Sequence, residues 1–110
     1  MTSTADLDAA IVLTTIGADA DAAALARTLV EERLAACVNV LPPMTSTYRW
    51  KGNVETDREQ QLLIKTTMGR LGALEARLRV LHPYDVPEFL VLRVSAGSDA
   101  YLAWLRDSAG

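Results

Sequence analysis

Residues 54–67 read Val54-Glu55-Thr56-Asp57-Arg58-Glu59-Gln60-Gln61-Leu62-Leu63-Ile64-Lys65-Thr66-Thr67, and how this run divides decides the fold. Its second half, Leu62 to Thr67, is apolar and β-branched and reads as a strand. Its first half is ambiguous. Glu, Gln and Arg are good helix formers, so propensity alone leans to helix over residues 54–61. Just upstream, Met44 to Trp50 alternates. Met44, Ser46, Tyr48 and Trp50 share one face, and Thr45, Thr47 and Arg49 share the other. Gly52-Asn53 supplies a turn that tolerates positive φ.

Working outward, Ala10 to Thr15 is a buried strand bounded by Gly17. Asp19 or Asp21 can cap a helix whose apolar face is Ala22, Leu25, Ala26 and Leu29, ending near Ala35. Cys37 to Leu41 is a short strand, interrupted by Pro42-Pro43 because neither proline can donate to a ladder. Leu71, Leu74, Leu78 and Leu81 mark a second helix, which Pro83 stops. Phe89 to Val94 is the last strand. Ser98 caps a terminal helix with Tyr101, Trp104 and Leu105 on one face.

The order is β-α-β, a hairpin, then β-α-β and a final helix. This split pattern predicts an α+β, ferredoxin-like βαββαβ sandwich with a C-terminal helix. Two helices cover one sheet face. The other face carries Leu63, Phe89 and Val91, which a lone two-layer domain would leave wet, so a partner subunit is expected there.

Composition bounds the function. The 110 residues form one domain, 9–108, preceded by a polar and disordered tail over residues 1–8. A formal net charge of −3 and the lack of any Lys/Arg cluster argue against nucleic acid or an anionic membrane as partner. Apolar runs such as Leu34 to Val38 are too short to span a bilayer. Met1 to Asp6 has no basic region followed by an apolar one, and the single cysteine excludes an internal disulfide. The expected location is cytoplasmic.

The segment His82-Pro83-Tyr84-Asp85-Val86-Pro87-Glu88 concentrates the chemically capable side chains. His82 can ligate a borderline metal such as Cu(II), or it can place a favourable charge at a helix C-terminus. Cys37 can be a soft ligand, or a small apolar residue between Ala36 and Val38. Met44 and Met68 are thioether candidates for Cu(I), or gap fillers. Tyr84, Asp85 and Glu88 can line a cleft with Glu59 and Lys65, a lysine that otherwise makes an intersubunit salt bridge. Trp50 and Tyr48 are aromatic walls of that cleft or interface residues. There is no Gly-rich phosphate loop, no HExxH and no nucleophile elbow, so an enzyme is not expected.

These residues resemble a known family. Leu29-Val30-Glu31-Glu32-Arg33-Leu34-Ala35-Ala36-Cys37-Val38-Asn39 is similar to the first motif of the CutA family, the divalent-cation tolerance proteins. So are Thr45-Ser46-Thr47-Tyr48-Arg49-Trp50-Lys51-Gly52, with its Tyr-x-Trp, and the strand Leu63 to Thr67. His82 to Glu88 resembles the family's signature loop, and Tyr101 to Leu105 its terminal helix.

The resemblance covers residues 10–106. It implies a tight homotrimer and one long strand from about Val54 to about Met68. Such a strand spans roughly 50 Å at ~3.3 Å per residue. A compact domain of this length is only about 35 Å across. The hairpin therefore bends or reaches onto a neighbour. The resemblance also implies metal-ion tolerance through weak, non-obligatory binding of Cu(II) or another divalent cation. Some relatives carry a cysteine at the end of the first strand and a second histidine before the His-Pro pair. Here those positions are Thr14 and Leu81, which weakens tight copper binding. The alternative is a trimeric small-ligand signalling module similar to PII-like proteins, with a cleft between subunits.

Overall fold

The computed structural model describes residues 8–110. The proposed tail lies outside the described residues except for Asp8, whose carbonyl accepts the Met68 N–H at 2.7 Å. The chain runs β1 (Ala9–Gly17), α1 (Ala22–Glu31), β2 (Cys37–Val40), β3 (Met44–Trp50), β4 (Asn53–Thr67), α2 (Leu71–Leu81), β5 (Leu90–Arg93) and α3 (Asp99–Ala109). A single turn of 3-10 helix, Met68–Arg70, leads into α2. The fold is α+β: one antiparallel sheet and three helices.

β4 is the long strand that the family resemblance implies, and it overrides the helical leaning that propensity alone gives residues 54–61. It is strand for 15 residues without a break. Its two halves have different partners. From Asn53 to Glu59 it pairs with β3, in register from Trp50↔Asn53 to Met44↔Glu59. From Glu59 to Thr67 it pairs with β1, from Gly17↔Glu59 to Ala9↔Thr67. These ladders satisfy the backbone of a polar segment and override its weak helical propensity.

The sheet order is β2-β4-β1-β5, and β2 and β3 follow one another along the same edge of β4, broken at Pro42-Pro43. Cross-strand partners share a face. Val12, Ile16, Leu62 and Ile64 point beneath α1 and α2, where Leu25, Leu29, Leu74 and Leu78 close the main core. Each fully buried leucine there contributes roughly 1.5–3 kcal/mol.

Ile11, Leu13, Leu63 and Lys65 face the other way, opposite Leu92 and Leu90 on β5. On that face α3 packs Leu102, Leu105 and Ala109 over Ala9 and Ala36. Two expectations change as a result. Phe89 packs against the core beneath the helices and Val91 pairs with Val12, so Leu90 and Leu92 accompany Leu63 on the open face. Tyr101 and Trp104 stay exposed, because the docking face of α3 is the Leu102/Leu105/Ala109 stripe.

Three local features set the geometry. Asp21, rather than Asp19, caps α1 by accepting the Ala24 N–H at 3.0 Å. The same helix stops before the expected Ala35. Arg33 takes φ 59°, and the Arg33 and Leu34 N–H groups bond back to Val30 and Leu29, the paired bonds of a Schellman ending. The β3–β4 turn is Lys51-Gly52, one residue earlier than Gly52-Asn53. Their φ values of 49° and 83° are the positive pair that a type I′ hairpin needs.

The β3–β4 hairpin projects from the body. The molecule measures 45 × 25 × 24 Å, with a radius of gyration of 14.9 Å. A compact domain of this length would have about 13 Å.

Candidate functional site

The open sheet face, the projecting hairpin and the loop after α2 enclose a cleft of about 620 Å³. Each wall follows from strand alternation. From β4 come Asp57, Glu59 and Gln61, every second residue. From β3 come Met44, Ser46, Tyr48 and Trp50, the face read from their alternation. The loop adds Tyr84, Asp85, Val86, Pro87 and Glu88, and β1 adds Thr15.

His82 anchors the loop. It is 6% exposed. Its Nδ1 accepts the Tyr84 N–H at 3.2 Å, which leaves Nε2 as the protonated nitrogen, donating to the Thr15 carbonyl at 2.6 Å. The imidazole thus has both nitrogens engaged, and it meets the Tyr84 ring edge-on with centroids 4.7 Å apart. Because β5 pairs with β1 only from Ala10 to Leu13, His82 takes up a carbonyl of β1 beyond the end of that ladder.

Two tyrosine–carboxylate pairs line the interior. The Tyr84 hydroxyl donates to Glu59 at 2.7 Å, and the Tyr48 hydroxyl donates to Asp57. Burial and then the Glu59 hydrogen bond push the Tyr84 phenol well above the ordinary tyrosine value. The hydrogen bond to Asp57 is the main reason that Tyr48 is pushed up to about 12. Gln61 ties the loop to the sheet, donating to Glu88 at 3.0 Å and to the Thr14 carbonyl at 2.7 Å.

The structure brings Glu59, Tyr84, Asp85, Glu88 and Trp50 together around this cleft. It does not bring Lys65 there. The Lys65 ammonium lies 5.8 Å from the Tyr101 ring centroid and 3.5 Å from its hydroxyl. Cys37 pairs opposite Lys65 in the sheet, four residues along β4 from the Gln61 that faces Thr15, and its thiol lies 3.8 Å from the Asn39 side-chain oxygen. Met68 begins the 3-10 turn, away from the cleft lining. Asp57 and Gln61 join the sequence candidates. Their spacing from Glu59 puts them on one face only if the run is strand.

Among the described residues, the cleft lining holds four carboxylates and no Lys, Arg or His. Oxygen donors of this kind suit hard divalent cations. Among the described residues no three His, Cys, Asp or Glu side chains converge into one metal-holding group. The donor set therefore fits loose cation binding and does not fit a tight single-chain copper centre. Thr14 underlines this. It points to the helix side, fully buried, with a hydroxyl that has no hydrogen-bond partner among the described residues.

Comparison with known proteins joins these features to a family. The model of the CutA1 divalent ion tolerance protein family matches residues 10–108. The chain belongs to the CutA family. The divalent-cation tolerance protein CutA of Thermus thermophilus is 48% identical over 100 residues, which is 91% of this chain and 97% of that one. The human Protein CutA is 48% identical over 82 residues, 74% of this chain and 46% of that longer protein. A solved CutA structure from Thermus thermophilus superposes with a TM-score of 0.89 at 47% identity, covering 93% of this chain and 99% of that one. The CutA of Xylella fastidiosa gives 0.87 at 44%, covering 94% and 99%.

Proposed function

We propose that this chain is a divalent-cation tolerance protein that works as a homotrimer and holds divalent cations, Cu(II) among them, weakly in its carboxylate-lined cleft. The observation that carries this is the cleft itself: Asp57, Glu59, Asp85 and Glu88 with no basic side chain among the lining residues. Family membership supplies the physiological setting. No tight cofactor is required, and binding rather than catalysis is the activity.

Three features support the trimer and its ferredoxin-like protomer. The sheet order, with β2 and β3 together occupying one edge of β4, suits a ferredoxin-like sandwich. Leu90 and Leu92 are 54% and 51% exposed on the open face. Among the described residues, the β4 edge opposite β3 has no ladder before Glu59, only the Ala18 N–H on the Arg58 carbonyl. An apolar face and a free strand edge on one molecule favour pairing with copies of itself.

Calorimetric titration of Cu(II), Zn(II) and Ni(II) into wild type, Glu59→Gln and His82→Ala tests the site. The expected result is weak binding by wild type that Glu59→Gln reduces by about tenfold, or roughly 1.4 kcal/mol. If only His82→Ala weakens binding, the site lies at the histidine and not in the cleft. If all three isotherms are flat, metal binding is excluded.

A further inference from the structure

We infer that His82 is an acid-sensitive latch, in which a proton taken up at Nδ1 frees the loop over residues 83–88 while Nε2 keeps the ring tied to β1. This goes beyond cation binding and needs no cation.

The geometry admits only the neutral ring. Nδ1 accepts the Tyr84 N–H at 3.2 Å, so it must keep its lone pair. Nε2 must then carry the one ring proton, which it donates to the Thr15 carbonyl at 2.6 Å. A second proton turns Nδ1 into a donor. Two N–H groups then point at one another across 3.2 Å, and the Tyr84 amide loses its acceptor. Nε2 is a donor in both states, so the Thr15 bond survives. The residue is buried, so water has little access to either nitrogen. All of these contacts are made within one chain: β1 through Thr15, the loop through Tyr84, and α2 through the His82 N–H on the Leu78 carbonyl at 2.8 Å.

The charges on the surrounding elements act at one remove. β1 offers Thr14, Thr15 and Ile16, none of which titrates. α2 offers Arg79, exposed and paired with Glu75 at 3.3 Å. On β4, Glu59 accepts the Tyr84 hydroxyl at 2.7 Å. The loop carries Asp85 and Glu88, and Gln61 holds Glu88 at 3.0 Å. Asp19, in the turn after β1, lies on the same side. A side chain at Gly17 would come within 3.2 Å of its carboxylate and 3.9 Å of the Tyr84 hydroxyl. Among the described residues, the ring nitrogens bond only to main-chain groups. Histidine is the side chain that ordinarily changes charge between about pH 5 and pH 8.

What lets go is one turn. Pro83 and Pro87 fix φ on either side of it, so the segment between them is stiff. Tyr84, Asp85 and Glu88 line the cleft, so the latch couples acidity to the shape of that wall. The Tyr84–Glu59 and Gln61–Glu88 bonds remain and make the release a local opening, not unfolding.

The test uses the full-length assembled protein in chelator, so that no metal ion contributes. His82 is the only histidine in the chain, so its ring signals carry no overlap. Ring ¹⁵N shifts should show the Nε2–H form at about pH 8 and the doubly protonated ring at about pH 5. Hydrogen-exchange protection of the Tyr84 amide, corrected for the intrinsic rate, should fall by at least about tenfold with the same midpoint. His82→Gln keeps one donor and one acceptor and does not titrate, so its Tyr84 amide should stay protected throughout. A ring that stays neutral over the whole range overturns the proposal. So does a ring that titrates while the Tyr84 amide is unmoved, or an equal loss of protection in His82→Gln. The first two outcomes need only wild type and decide the matter even where His82→Gln fails to fold.

Discussion

Glu59 and His82 divide the work that the sequence concentrates near residue 82. His82 is a structural pin: its two nitrogens fix the loop to β1 and leave Tyr84 aimed at Glu59. That role could not be read from the His-Pro pair alone, because it depends on a Thr15 carbonyl 67 residues away. The tyrosines carry a pH signature. Their phenols titrate higher in the folded protein than the ordinary value of 10.0. A raised folded value means stability is complete below the unfolded value and is lost as pH rises through the folded one. Unfolding free energy, measured by urea titration at one protein concentration, should therefore fall from about pH 10 upward. Tyr84→Phe should flatten part of that fall. An unchanged alkaline slope would mean that the Tyr84–Glu59 bond is not made in solution.

At the scale of elements, what was legible was what has a period. The buried strands, the two leucine-spaced helices, the Met44–Trp50 alternation and the Ser98 cap all lie where the pattern puts them. The polar half of β4 had no period in apolar residues, only in carboxylates, and its strand state comes from pairing with β3. The same error hid Asp57 and Gln61 from the candidate site. The direction of Phe89 was missed for a different reason. A short edge strand is apolar on both faces, so alternation alone cannot say which side is the core. The hairpin turn is the most sensitive point of this element. Gly52→Ala meets no steric neighbour but must hold φ 83°. It should cost about 1 kcal/mol in chemical denaturation without moving the m-value. No loss of stability would mean that the turn is not type I′.

At the scale of the molecule, the 45 Å long axis, the β4 edge left unpaired among the described residues and the exposed leucines on β5 are the features that the proposed trimer would cover. Light scattering at micromolar concentration should give three chain masses, and Leu92→Asp should shift the population towards one. A wild-type monomer would contradict the assembly. The cleft opens on that same face. The central claim is that cations sit in this cleft, at Glu59, and not at the histidine. A crystal soaked in Cu(II) and measured at the copper edge tests it most directly. The expected result is an anomalous peak beside Glu59 with the His82–Thr15 hydrogen bond intact. A peak on the His82 imidazole with that bond broken, or no peak within the cleft at all, would contradict it.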